Sequence, residues 1–172
     1  IATVAPGLID MTREEVRCSA AVGKVRRRRR SETECDRGAR VLHRMCLDHG
    51  DKVLKAGFVD MLPQHYLLNN VTRQWGKFSW HWFFMTQDAP TPERMMDADP
   101  EFFIRRKLSK TDQGTSFFGP QALADYIRCI KNPATTHAMC EDYRATFGID
   151  LDMDTADFDA GRRIDNPALI LW

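Results

Sequence analysis

The residue types best suited to chemistry in this chain lie together in Glu34-Cys35-Asp36-Arg37-Gly38-Ala39-Arg40. A carboxylate raised on a tight strand-to-helix turn stands clear of its surroundings and can act as a nucleophile, provided small residues nearby let strand and helix approach closely. Asp36 is read as that nucleophile. Arg37 and Arg40, three positions apart, share one helical face beside it, and the first-turn N–H groups add positive potential at the same spot. Such a place favours an anion, and the planar fork of a guanidinium suits a carboxylate better than an ammonium does. Taken alone, the stretch has a plainer alternative, in which Asp36 caps a surface helix and its arginines are solvated.

These side chains need elements to hold them. Val41, Leu42, Met45, Cys46 and Leu47 follow helical spacing to about His49, and Gly50 is a suitable stop. Lys52 to Leu62 is an apolar, β-tending run, so the unit reads as turn, helix, strand. Asp60 falls near the end of that strand, at the edge where parallel sheets hold ligands. Alone it is a turn residue before Pro63; paired with Asp36 it is a candidate to orient a general base.

Residues 64 to 147 read as helices separated by prolines. Breaks fall at Ala89-Pro90-Thr91-Pro92, Pro100, Gly119-Pro120 and Pro133, and the amphipathic stretches Glu101–Leu108, Gln121–Ile130 and Ala134–Phe147 lie between them. A helical block after a strand reads as an inserted cap. Its aromatic centre is Trp75, Phe78, Trp80, His81, Trp82, Phe83 and Phe84, a density typical of a core. His81 and Trp82 nevertheless bring two N–H donors into an apolar setting, as binding of a small desolvated anion requires, and Tyr143 offers a third donor. Arg162 to Trp172 returns to the sheet, with Pro167-Ala168-Leu169-Ile170-Leu171-Trp172 read as a buried strand.

Composition sets the outer bounds. A length of 172 residues allows one domain with a core, or one domain and an appendage. Hydrophobic content of 43%, charged content of 28% and a net charge of +1 argue against a global role on nucleic acid or acidic surfaces. No apolar run reaches the length of a membrane span and no signal-like start is present, so the expected location is cytoplasmic. Cys18, Cys35, Cys46, Cys129 and Cys140 show no paired spacing, which argues for free buried thiols rather than disulfides or a zinc site. Met11 to Val25 has weak helical character, and Arg26-Arg27-Arg28-Arg29-Arg30 reads as a solvated block. The first residue is Ile1 and the chain stops on a strand, so it looks like a cut piece.

Asp36-Arg37-Gly38-Ala39-Arg40, Val59-Asp60-Met61-Leu62-Pro63, His81-Trp82 and Met139-Cys140-Glu141-Asp142-Tyr143-Arg144-Ala145, in that order, resemble the fluoroacetate (haloacetate) dehalogenases of the α/β-hydrolase superfamily. The resemblance runs from about Asp36 to Trp172. It implies a partial α/β-hydrolase fold: few parallel strands plus an all-helical cap. The implied organisation is an arginine-rich leader over 1–35, a hydrolase core unit over 36–63, a helical cap over 64–160 and a return to a core strand over 161–172.

In such an enzyme Asp36 would attack the carbon bearing the halogen and form an ester, dividing a hard displacement into two easier steps. Arg37 and Arg40 would bind the substrate carboxylate, Asp60 would orient the catalytic histidine, and His81, Trp82 and Tyr143 would surround the leaving halide. Fluoride is strongly hydrated, so several donors fixed in a dry pocket are what its departure needs. No cofactor or metal is expected. The expected partner is a small-molecule 2-haloacid, with no membrane and no nucleic acid, and a homodimer is an open possibility.

In the family the histidine that activates water lies beyond the strand at which this chain ends. The chain alone is therefore expected to be inactive. Two other readings stand beside this one: an epoxide hydrolase-type member of the same superfamily, and a non-catalytic helical module binding anions or nucleic acid through its arginines.

Overall fold

The computed structural model of the chain describes residues 30–109 and 114–172. The helical character expected over Met11 to Val25, Cys18 and the arginines at 26–29 lie outside the described residues. The chain divides into a sheet unit, Ile1–Asn70 with Asp150–Trp172, and a helical unit, Val71–Ile149.

The sheet unit holds three parallel strands in the order β1 (Arg30–Cys35), β2 (Val53–Val59), β3 (Ala168–Leu171). Parallel strands need a crossover, and helix α1 (Asp36–His49) supplies the one between β1 and β2. Ala39, Leu42 and Cys46 repeat at helical spacing and bury one stripe of α1. That stripe packs on Val53, Ala56, Phe58 and Met61 to make this unit's core. Val41, one of the apolar residues that suggested the helix, points away and is 43% exposed.

Arg30–Cys35, at the end of the stretch read as an arginine-rich leader over 1–35, forms strand β1. Its polar sequence survives because the strand is held by its backbone ladder to β2 while its side chains stay largely exposed, so no charge is buried. Gly57 makes the close pairing possible: a Cβ there would lie 2.6 Å from Thr33 Oγ1 on the facing strand.

Strand β3 forms where expected, but it is not buried; Leu169, Ile170 and Leu171 are exposed and Trp172 is 81% exposed. Apolar composition reports how readily a strand forms, whereas burial depends on what lies against it. Backbone bonds hold β3 in place, from Ala56 N–H to Pro167 O (3.0 Å) and from Asp60 N–H to Leu171 O (2.9 Å). Asn166 fixes the approach by donating to Gly50 O (2.9 Å) and Val53 O (2.8 Å).

Helix α2 (Gln64–Asn69) and most of α9 (Ile149–Asp159) belong to the sheet unit rather than to the helical one. The buried carboxylate of Asp157 accepts from Arg44 on α1 and from Arg162, each at 2.5 Å, and Arg162 also donates to Leu47 O. Asp154 accepts from the Gln64 N–H at 2.8 Å. Polar bonds therefore tie α9 to both α1 and α2.

The helical unit contains α3 (Arg73–Phe78), α4 (Trp80–Met85), α5 (Thr91–Ala98), α6 (Pro100–Leu108), α7 (Pro120–Ile130) and α8 (Pro133–Phe147). The prolines read as breaks are helix starts, since a missing N–H costs nothing in the first turn. Asp99 and Asn132 accept from backbone N–H groups in the first turns of α6 and α8. Met85, Met96, Ile130, Met139 and Cys140 are buried here.

Candidate active site

Asp36 directly follows β1 and Asp60 directly follows β2. Cys35 and Val59 are partners in the ladder, so the two aspartates leave neighbouring parallel strands at the same level, with the strands about 4.8 Å apart. Both stand at the carboxyl edge of the sheet, where open α/β sheets hold ligands.

Their backbones share a further property. Asp36 has φ +47° and Asp60 φ +51°, and among the described residues no other non-glycine residue has a positive φ. The left-handed region costs an L-residue about 1–2 kcal/mol, somewhat less for Asp, and such strain persists where surrounding structure holds a functional group in place. The capping alternative for Asp36 is not what the helix shows. The N-cap of α1 is Cys35, no side chain caps the helix, and Asp36 is its first helical residue, exposed to solvent.

Behind Asp36 the first turn of α1 is built closely. A Cβ on Gly38 would come within 2.6 Å of Glu34 Oε2, so glycine leaves room for the Glu34 side chain against the helix start. Arg37 and Arg40 are half-buried, and Arg37 Nη2, Arg40 Nε and Arg40 Nη1 are closed off from solvent. Both guanidinium groups are thus withdrawn from water in the first turns of the helix that Asp36 begins.

In the helical unit, His81 and Trp82 at the start of α4 meet Tyr143 of α8. Their ring centroids lie 5.9 Å (His81 to Tyr143) and 5.5 Å (Trp82 to Tyr143) apart, both edge to face. Trp82 is 8% exposed and Tyr143 9%. Trp75 packs against the other side of Trp82 at 5.4 Å. Three polar aromatic side chains are thus gathered in one cluster, with Trp82 and Tyr143 buried and His81 half-buried.

Arg144, next to Tyr143, holds this cluster in a way the sequence did not disclose. Its guanidinium donates to both carboxylate oxygens of Glu93 on α5 (2.7 and 3.1 Å) and to Gln87 O (2.8 and 3.0 Å). The Arg144 hydrogen bonds hold the Glu93 carboxyl down at about 2. Nearby, burial pushes the Cys140 thiol up to about 12, which keeps it inert. The signal lay in Cys140-Glu141-Asp142-Tyr143-Arg144, but Glu93 is 51 residues away and only the fold pairs it with Arg144.

The described histidines other than His81 are mostly engaged elsewhere. His43 faces Asp154 at 3.7 Å, and burial pushes its pKa down against that carboxylate. His65 stacks on Phe158 at 4.2 Å and lies 3.0 Å from Thr155 Oγ1. His137 lies 3.4 Å from Glu93, in a group with Glu141 that has metal-ligand spacing. Arg144 already occupies the carboxylates of that group, so it reads as an ion-pair cluster. Among the described cysteines Cys46 and Cys140 are buried free thiols as expected, whereas Cys35 is exposed and Cys129 half-buried.

No protein-family model matches the chain. A fluoroacetate dehalogenase from a Burkholderia species is 39% identical over 136 residues, which cover 78% of this chain and 44% of that protein. A solved structure from Pseudomonas aeruginosa, provisionally described as an epoxide hydrolase, superposes with a TM-score of 0.80 at 39% identity, covering 93% of this chain and 53% of that one. Another from Nostoc sp PCC 7120, provisionally described as an α/β hydrolase, gives a TM-score of 0.77 at 39% identity over 94% of this chain and 54% of its own. The chain thus spans about half the length of these relatives.

Proposed function

We propose, from the premise that this chain is a partial α/β hydrolase similar to the haloacetate dehalogenases, that it carries the nucleophile and halide residues of a carbon–halogen hydrolase. An Asp36 carboxylate oxygen attacks the carbon bearing the halogen of a 2-haloacid. A C–O ester bond forms, the C–halogen bond breaks, and the electron pair leaves with the halide. Arg37 and Arg40 hold the substrate carboxylate, and His81, Trp82 and Tyr143 receive the halide through N–H and O–H groups. Asp60 orients the histidine that would activate water for hydrolysis of the ester. Free cysteines at every described position agree with a cytoplasmic setting for this reaction.

The observation that carries the reading is the pair of left-handed aspartates at adjacent parallel strand ends. An epoxide hydrolase is the second reading, favoured by the Pseudomonas neighbour. Two facts weigh for the haloacid: the half-buried arginines beside Asp36, which suit an anionic substrate, and the donor cluster around the buried Trp82.

The test is covalent capture. Incubation of the chain with chloroacetate should add one carboxymethyl group to the peptide containing Asp36 and release one chloride, both lost in Asp36→Ala. An adduct formed from a neutral epoxide but not from chloroacetate would favour the second reading. No adduct from either would refute Asp36 as the nucleophile of this chain.

A further inference from the structure

The helical unit contains a pocket of 880 Å³ that shares only His81 with the residues of the proposed chemistry. Its walls combine three cations, Lys77, Arg106 and Lys107, with three aromatic side chains, Trp75, Phe78 and Trp80. No Asp or Glu is among its lining residues. Neither Lys77 nor Arg106 is engaged in an ion pair among the described residues, and both are exposed, so their charge acts on the pocket with little local neutralisation.

Two of the aromatic walls are held in place from behind. Trp75 packs edge-on against Trp82 at 5.4 Å, and Trp80 against Phe103 at 6.0 Å. Phe78 lines the pocket and is 56% exposed. His81 also lines the pocket, while its ring stacks edge-to-face against Tyr143 at 5.9 Å. One side chain therefore belongs both to this basic, aromatic pocket and to the halide cluster.

Size and chemistry together define the ligand. The volume lies in the range of about 300–1,000 Å³ that accommodates drug-sized molecules, far larger than a two-carbon acid. Aromatic walls take an apolar body, and the cations beside them take an anionic head. We propose that this pocket is a binding site for organic carboxylates. The carboxylate sits on Lys77, Arg106 and Lys107, the apolar body lies on Trp75, Phe78 and Trp80, and the site is an antechamber that presents acids to His81.

The antechamber role rests on the proposed haloacid chemistry, whereas the binding site does not, and one experiment separates them. In a Trp172→Phe background, which removes an exposed indole outside the pocket, phenylacetate and phenylacetamide are titrated while tryptophan fluorescence is followed. Phenylacetate should quench saturably, with affinity falling as salt rises. Phenylacetamide, which has the same ring and no charge, should bind at least about tenfold more weakly, roughly 1.4 kcal/mol.

Lys77→Gln combined with Arg106→Gln should abolish that preference. Arg37→Gln combined with Arg40→Gln should leave it intact, which shows that the acid is not binding beside Asp36. Equal affinity for acid and amide, or a preference that survives loss of Lys77 and Arg106, would overturn the proposal. Phenylacetate binding in a chain that forms no ester on Asp36 would keep the carboxylate site and remove its antechamber role.

Discussion

Replacing Asp36 by alanine should destabilise the chain more than replacing it by glycine. Asp36 is the first residue of α1, and at an ordinary helical position alanine is favoured over glycine by about 1 kcal/mol. Its φ of +47° reverses that order. Alanine in the left-handed region bears the full Cβ penalty of about 1–2 kcal/mol. Glycine bears none, and gives back about 0.5–1 kcal/mol through its greater freedom in the unfolded chain. The net preference at this position is therefore for glycine, by about 0.5–1 kcal/mol over alanine.

Aspartate tolerates the left-handed region better than alanine does. Neither replacement adds an atom beyond Cβ, so no new clash confuses the comparison. Urea unfolding followed by far-ultraviolet circular dichroism gives the three midpoints and slopes. A glycine variant more stable than the alanine variant supports strain at Asp36, and both variants should lose the carboxymethyl adduct. An alanine variant more stable than the glycine variant would refute the strain and, with it, the observation on which the function rests.

Glu93 provides a pH-dependent test in the helical unit. Its carboxyl is lowered from 4.5 to about 2 in the folded state, so its stabilisation is complete above about pH 4.5 and is lost as pH falls towards 2. The shift converts to at most about 3 kcal/mol, and screening at the solvent-bordered Arg144 brings this to about 2. Glu93→Gln should cost about that much at neutral pH, and the difference from wild type should vanish near pH 2; a difference independent of pH would sink the assignment. In the sheet, Gly57→Ala drives a Cβ into Thr33 and should cost about 1–3 kcal/mol, largely recovered by Thr33→Ala in a double-mutant cycle. Asp157→Asn should cost about 2 kcal/mol and raise amide exchange across Ile149–Asp159, since Arg44 and Arg162 both depend on its charge. Unchanged exchange there would show that the lashing carries no weight.

Much of this was legible in one dimension because the signals are local. The stripe Ala39, Leu42, Cys46 marks α1, the run from Val53 to Val59 marks β2, and the prolines punctuate the helical unit. Arg37 and Arg40 share a face simply because they are three residues apart. Residue type also singled out Asp36, Asp60, His81, Trp82 and Tyr143 as candidates, and the resemblance to the haloacetate dehalogenases implied a role for each.

What only the tertiary structure decided depends on partners distant in sequence. The polar stretch Arg30–Cys35 becomes a strand because β2 offers it a ladder, and the apolar β3 remains exposed because burial belongs to surroundings. The register of Cys35 with Val59 puts two aspartates side by side, each with a left-handed backbone. The meeting of Tyr143 with His81 and Trp82, and the clamp of Arg144 on Glu93, arise from helix packing that no periodicity encodes.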